Sequence, residues 1–338
     1  MKKVRVSFFE ISEQWQIDLI KAGLPASKFA VSITSAKLSA ANVKRFRTSE
    51  IISVFIHSHI DEKILNQLPH LKFIATNTTG FDHIDLKACA AKKIIVSNVP
   101  HYGENTVAEH TFALLLAISR KIVESVDRTR RGKFTLAGLR GFDLKGKTIG
   151  IVGTGSIGRH VIRMAHGFEM KILAYDKFPD KTLESHYPLR YVSLENLFRN
   201  SDVVSLHAPY TRETHHLVNS KNIGLFKKGS VLINTARGGL VETAALLRAL
   251  RSGRLAGAGL DVLEEEMVIS EESELLSRYI TRENLAVVLE DHHLLARENV
   301  LVTPHNAFNS HEAVHRIITT AIENILAWRS GRPINLVK

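Results

Sequence analysis

Short apolar runs alternate with stretches of helical period along almost the whole chain. Five runs in the first hundred residues, KVRVSFF, FAVSIT, ISVFIH, KFIATNT and IIVSNV, have the length and β-branched content of strands. Amphipathic stretches such as ISEQWQIDLIKAG and HIDLKACAAKK lie between some of them. A second series follows: KTIGIVG, MKILAYD, DVVSLHA, GSVLINTA, AGAGLDV and NVLVTP. Strands spaced by helices require right-handed crossovers and parallel sheets covered on both faces, so the pattern predicts two doubly wound α/β units. Between the two series a helical pattern runs from about Asn105 to Arg131 without a strand signal. HEAVHRIITTAIENILAWRSG predicts a final amphipathic helix closed by Gly331 and Pro333, and Pro100 and Pro304 are the expected crossing points between units.

A chain of 338 residues accommodates two domains, and 44% hydrophobic with 23% charged residues is ordinary for a soluble globular protein. MKKVRVSFFE begins basic, but its apolar run is short and soon meets Glu10, Glu13 and Asp18, so it reads as a strand and not as a signal peptide. TFALLLAISRKI is interrupted by Arg120 and Lys121 before the roughly 18 apolar residues that a membrane span needs. The single cysteine, Cys89, excludes an intramolecular disulfide framework and fits a reducing, cytoplasmic setting. The net charge of +11 is spread along the chain, and its densest cluster, DRTRRGKF, carries neither aromatic interleaving nor zinc-finger spacing. Attraction of small anionic substrates is therefore expected, and a nucleic-acid partner is not.

KTIGIVGTGSIGRHVIRMAHGFEMKILAYD places Gly153, Gly155 and Gly158 in a GxGxxG loop that leaves a strand, opens a helix and returns to a strand ending at Asp176, 18 positions after Gly158. That context makes a dinucleotide loop. Gly153 permits the tight turn, Gly155 lets backbone approach a pyrophosphate, and Gly158 lets the helix pack close to the strand with its amino terminus facing phosphate. Asp176 can accept hydrogen bonds from ribose hydroxyls and would repel a 2′-phosphate, which favours NAD over NADP.

Ligands of open parallel sheets lie beyond the carboxyl ends of the strands. Arg237 follows GSVLINTA, Asp261 and then Glu266 end or follow AGAGLDV, and His305 follows NVLVTP. Oxidising a 2-hydroxy acid needs a cation that holds the carboxylate, for which the planar guanidinium is suited. It also needs a group that exchanges the hydroxyl proton near neutrality, which is histidine. A carboxylate beside that histidine fixes its orientation and favours the imidazolium. Arg237, His305 and Glu266 fill these three roles.

INTARGGLVETAALLRALRSGRLAGAGLDVLEEE and NVLVTPHNAF resemble signature blocks of the D-isomer-specific 2-hydroxyacid dehydrogenase family, as do GFDHIDL, NTVAEHTFALLL and GTGSIG. The resemblance spans nearly the whole chain. It implies a Rossmann-type NAD domain, residues 101–303 with a dimerisation arm, inserted into a flavodoxin-like substrate domain formed by residues 1–100 and 304–338. It implies a homodimer held largely through the arm after Pro100. It gives Arg237 the substrate carboxylate, Glu266 the pairing with histidine, and His305 the acid/base role. Ser156 and Ile157 would meet the pyrophosphate and Asp176 the adenosine ribose. Ala208, Pro209 and Thr214 would line the cofactor cleft, with Thr235, Ala236 and Asp261 on the nicotinamide side and Thr106 nearby. Thr79 and Gly80 would supply backbone donors to the carboxylate.

The 39 positions between Glu266 and His305 resemble the long link of the D-lactate dehydrogenase branch, as do Tyr102 and Phe308. An aromatic at 308 suits a small apolar pocket over a methyl group, and hence pyruvate. His57 stands where many D-lactate relatives carry an aromatic, so larger 2-oxo acids, and glyoxylate or hydroxypyruvate, stay open as substrates. An NAD-sensing co-repressor built on the same fold is the non-enzymatic alternative, disfavoured by the presence of Arg237, Glu266 and His305 together. His311, Glu312 and His315 spell the H-E-x-x-H of zinc proteases, but zinc needs a third protein ligand in the right place and a chance match is unsurprising with 17 histidines, so no metal is expected.

Overall fold

Alternating Val, Ile and Phe positions set the first sheet. In a computed structural model of the chain, residues 3–264 and 290–337 are described. The first strands and helices are β1 (Val4–Phe8), α1 (Gln14–Gly23), β2 (Phe29–Ile33), β3 (Ile51–Val54), α2 (Glu62–Leu65), β4 (Phe73–Thr76), α3 (Leu86–Ala91) and β5 (Ile95–Ser97). The strands pair in parallel in the order β2-β1-β3-β4-β5. The two-residue period sorts side chains to opposite faces. Ile51 and Phe73 join Val6, Phe8 and Ile20 on one side; Ile52 and Ile74 join Ile64, Leu65 and Cys89 on the other. Each fully buried side chain of this size contributes about 1.5–3 kcal/mol. Asp61 and Asp85 start α2 and α3 by accepting the N–H groups of Ile64 and Ala88.

The second series begins with α4 (Glu104–Ser119) and α5 (Ile122–Arg130). One continuous helical pattern is thus two helices. Lys121 takes a left-handed conformation at φ 55°, and Phe142 donates its N–H to the Ser119 carbonyl at 2.8 Å, where a continuing helix would need that acceptor. There follow β6 (Thr148–Val152), α6 (Ser156–Gly167), β7 (Lys171–Tyr175), α7 (Thr182–His186), β8 (Leu189–Tyr191), α8 (Leu194–Asn200), β9 (Val203–Leu206), β10 (Ser230–Asn234), α9 (Thr243–Arg251), β11 (Leu255–Leu260) and β12 (Val300–Val302). They form a parallel sheet in the order β12-β11-β10-β9-β6-β7-β8. Every residue of β10 is buried, as its uninterrupted apolar run demands of a central strand. Val231 and Ile233 face α4 and α6 through Leu114, Leu115 and Val161; Leu232 faces α8 and α9 through Leu197 and Leu246.

The last helix, α10 (His311–Arg329), is capped by the Ser310 side chain and packs Ile318, Ile322 and Ile325 with α1 against the first sheet. The chain divides into two compact units, Met1–Tyr102 with Asn309–Lys338, and Gly103–Phe308. The expected crossings at Pro100 and Pro304 differ in position from these divisions, and the loop carrying His305 belongs to the second unit. Among the described residues no helix is long and apolar enough to cross a membrane.

Candidate active site

In the second sheet the chain runs outward from β6 to β8, then returns to lay β9 on the other side of β6, so the strand order reverses there. This is the crevice where open α/β sheets take ligands. Gly153 leaves β6 at φ 93°, and an added Cβ would stand 2.7 Å from the His207 backbone that leaves β9. Gly158 packs on the Gly153 carbonyl. Gly155 differs from both: its φ of −67° suits any residue, and a Cβ there would meet nothing within 4 Å. Protein packing therefore does not require glycine at 155, whereas a ligand close against the backbone would. Ser156 and Ile157 open α6 beside it, with the first-turn N–H groups directed outward.

Asp176 follows β7 already oriented. Its Oδ2 accepts from Thr154 N–H at 2.7 Å and Thr154 Oγ1 at 3.1 Å, and its Oδ1 from Phe178 N–H at 2.9 Å. Tyr191 donates to Thr154 Oγ1 at 2.9 Å. Ala208, Pro209 and Thr214 form the turn after β9, closed by Thr214 Oγ1 on the Pro209 carbonyl at 2.7 Å. His207, at the head of that turn, bonds Ser205 Oγ at 2.8 Å. It keeps some surface area, but burial of its ring pushes its pKa down to about 3, so it is neutral at physiological pH.

On the other side of β9 the carboxyl ends of β10, β11 and β12 lie side by side, with Asn234 opposite Leu260 and Leu260 opposite Val302. Arg237, Asp261 and His305 are thus brought to one sheet end from residues up to 68 positions apart. Gly238 packs directly on the Leu263 backbone, which joins the Arg237 loop to the segment after Asp261. Thr235 is buried and bonds Thr111 on α4 at 2.9 Å, Ala236 N–H is held by Asn234 Oδ1, and Thr106 is buried one turn earlier on α4. Asp261, 1% exposed, anchors three successive amides: its carbonyl accepts His305 N–H at 2.9 Å, and its carboxylate accepts Asn306 N–H at 3.0 Å and Ala307 N–H at 2.9 Å. His305 is held at φ 50°, a left-handed conformation that costs a non-glycine residue on the order of 1–2 kcal/mol and recurs at functional sites.

Glu266 lies outside the described residues. Glu264, two positions before it, is engaged by His216 through its Oε1 and by the Thr243 N–H and Oγ1 through its Oε2. Thr79, Gly80 and Tyr102 belong to the first unit, and Phe308 ends the second. The loop of Thr79 and Gly80 is fixed by Thr78 Oγ1 on the Gly80 carbonyl, Thr79 Oγ1 on Val99 O and Asn98 on the Thr79 carbonyl; the N–H groups of Thr79 and Gly80 meet no acceptor among the described residues. Tyr102 offers its carbonyl to Arg316 at 2.6 Å. A cavity of about 640 Å³ opens near the amino ends of β6 and β7, beside Lys171 and Arg190, away from these strand ends.

The model for the NAD-binding domain of D-isomer-specific 2-hydroxyacid dehydrogenases matches residues 112–307. A glyoxylate reductase from Korarchaeum cryptofilum is 35% identical over 333 residues, 97% of this chain and 91% of the relative. The chain belongs to the D-isomer-specific 2-hydroxyacid dehydrogenase family. Solved relatives agree: D-lactate dehydrogenase from Aquifex aeolicus, complexed with NAD and lactic acid, superposes with a TM-score of 0.86 at 35% identity over 97% of this chain and 96% of that one. A structure from work on the pyruvate reductase of Chlamydomonas reinhardtii gives 0.86 at 33% over 98% of each. As a member of the family the protein is an NAD-dependent oxidoreductase acting on 2-hydroxy acids, and the open cradle at Gly155 with the pre-oriented Asp176 fits that cofactor.

The H-E-x-x-H residues of this dehydrogenase do other work. His311 and His315 lie against the Trp15 ring, with centroids 4.9 and 6.4 Å away, within the first unit. Among the described residues no group of three His, Cys, Asp or Glu side chains is placed to hold a metal. Sequence reasoning passed over His207, Thr154, Tyr191, Thr303 and His110. His207 had a readable signal, a histidine at a strand end beside Ala208 and Pro209; the others gain their partners only through the fold.

Proposed function

We propose that this dehydrogenase interconverts pyruvate and D-lactate, with Arg237 holding the substrate carboxylate and His305 exchanging the proton. The observation that carries this reading is the placement of Arg237 and His305 at the carboxyl ends of β10 and β12, on either side of β11 in the NAD-binding unit, with His305 held in an uncommon backbone conformation by Asp261. Bound NADH supplies the hydride. The side chains do the rest. The Arg237 guanidinium pairs with the carboxylate and draws charge from the adjacent carbonyl. Thr79 and Gly80 offer N–H groups to the same carboxylate. The His305 imidazolium gives its proton to the carbonyl oxygen as that oxygen becomes a hydroxyl, and takes it back in the reverse direction. Glu266 pairs with His305; the commitment of Glu264 to His216 and Thr243 supports the later glutamate in this role.

Ser156 and Ile157 would hold the pyrophosphate, and Asp176 the adenosine ribose. Ala208, Pro209 and Thr214 would flank the cofactor, and Thr106, Thr235, Ala236 and Asp261 would serve its nicotinamide side. The resemblance of Tyr102 and Phe308 to the D-lactate dehydrogenase branch supports pyruvate as the substrate. The glyoxylate reductase likeness supports a second reading, glyoxylate as the substrate. A panel of 2-oxo acids assayed with NADH and NADPH, with the product resolved by chirality, tests both. Pyruvate turned over with NADH to D-lactate is expected; preference for glyoxylate moves the assignment to that acid, and no turnover of any small 2-oxo acid despite NADH binding refutes the enzyme reading.

The active form is proposed to be a homodimer. Ile122, Val123 and Val126 on α5 and Phe134 and Leu136 beyond it are exposed, Leu136 to 82%, and a second copy would cover them. Cysteine usage, one buried Cys89 whose thiol burial pushes up to about 11, supports a cytoplasmic setting.

A further inference from the structure

One α4 side chain reaches the clasp around His305. His110 lies one turn beyond Thr106 on α4, and its Nε2 stands 3.0 Å from Thr303 Oγ1 and 3.5 Å from Asp261 Oδ1. The Thr303 hydroxyl has a single proton and gives it to Asp261 Oδ1 at 2.5 Å. Its oxygen can therefore only accept from His110, which fixes the imidazole as the tautomer with its proton on Nε2. That N–H also faces the Asp261 carboxylate. A proton-ordered chain results: His110 donates to Thr303, Thr303 donates to Asp261, and Asp261 holds the amides of His305, Asn306 and Ala307. The carboxylate is 1% exposed and the imidazole 22%, so the chain runs from near the surface of α4 into the loop that carries the acid/base.

We propose that His110 is a positioning residue for the reaction, orienting His305 through Thr303 and Asp261 without touching substrate. Without it Thr303 Oγ1 loses its donor, its hydroxyl is no longer aligned on Asp261, and the carboxylate can turn away from the Asn306 and Ala307 amides that fix the chain directly after the left-handed His305. The role rests on His305 being the proton carrier. Misplacing a catalytic group by a fraction of an ångström lowers turnover without lowering ground-state affinity, so the expected signature is in kcat and not in KM.

The experiment compares His110→Phe, His110→Gln, Thr303→Val and the double variant His110→Phe/Thr303→Val, with His305→Asn as reference, in the full-length protein. Steady-state pyruvate reduction, NADH titration and thermal melting are measured for each. His110→Phe should lower kcat by about 10-fold to 100-fold, leave KM for pyruvate and NADH affinity within about 3-fold, and melt near the wild type. His110→Gln presents an N–H where Nε2 stood and should recover kcat to within about 3-fold. Thr303→Val should match His110→Phe, and the double variant should lose no more than Thr303→Val alone, because both cut one chain. Equal losses in His110→Phe and His110→Gln, or multiplying losses in the double variant, would show ordinary packing and overturn the proposal. His305→Asn inactive with His110→Phe and Thr303→Val both at wild-type kcat overturns the positioning role alone. His305→Asn at wild-type kcat overturns the acid/base reading and the positioning role with it.

Discussion

Both sheets reverse their strand order once, between β1 and β3 in the first unit and between β6 and β9 in the second, and the two crevices are furnished in opposite ways. After β1 the chain turns through Glu10 at φ 61°, and the Glu10 carboxylate accepts the N–H groups of Phe55 and His57 at 3.2 Å and the Ser58 hydroxyl at 2.5 Å. Protein fills that gap. After β6 the chain turns through Gly153, the His207 backbone seals the floor, and Gly155 leaves open space above it. Topology makes a crevice in either sheet; side chains decide whether it is closed by the protein or kept for a ligand. The doubly wound fold alone would not have located the cofactor.

The difference can be broken at several points. The largest effect is expected on acidification, and it falls on the second crevice. The folded pKa of His207 lies near 3 and its unfolded value near 6.5, so between these pH values the unfolded chain binds a proton that the folded chain refuses. The stability contribution is full above pH 6.5 and falls as pH drops toward 3, with a loss of about 3 kcal/mol at pH 4 relative to pH 7. Urea unfolding at the two pH values should show this, and His207→Gln should shrink the difference. Gly153→Ala should cost about 3 kcal/mol, because φ 93° and the 2.7 Å approach to His207 both exclude a Cβ; the same urea titration reads it. Gly155→Val should leave the melting temperature within a few degrees yet weaken NADH by about 100-fold in a fluorescence titration, since the new side chain occupies only ligand space. In the first crevice, Glu10→Ala should cost about 1–2 kcal/mol of stability and leave NADH affinity unchanged. His311→Ala should change turnover less than 2-fold and release no zinc, as it removes one ring from the Trp15 stack.

The eleven apolar runs of the sequence are strands, and the central ones, β3, β4, β9 and β10, read most plainly because burial on both faces leaves an uninterrupted hydrophobic record, whereas β2 at a sheet edge exposes Ala30 and Ser32. β8 left none: Leu189–Tyr191 is three residues with Arg190 at its centre, and it is recognisable only from its pairing with β7. The break between α4 and α5 was hidden for a related reason. Lys121 is not a glycine, and the bond that competes for the Ser119 carbonyl comes from Phe142, 23 positions away. At the site, the glycine loop and Asp176 were legible because their spacing is local. Arg237, Asp261 and His305 were legible because each sits just past an obvious strand. The pairing of His110 with Thr303 was not, since 193 positions separate them and the two signature blocks that hold them do not show that they meet. Conversely, the most conspicuous local motif, H-E-x-x-H, lies on the exposed side of the last helix, with its two histidine rings beside Trp15.

The central claim is that the second unit both holds NAD and carries the proton donor at its strand ends. His305→Asn tests it most directly, with NADH affinity and single-turnover pyruvate reduction measured on the same preparation. NADH affinity within about 3-fold of wild type and a hydride-transfer rate lowered by about 1,000-fold are predicted. A wild-type transfer rate in that variant would contradict the claim, and the proton donor would have to be sought elsewhere.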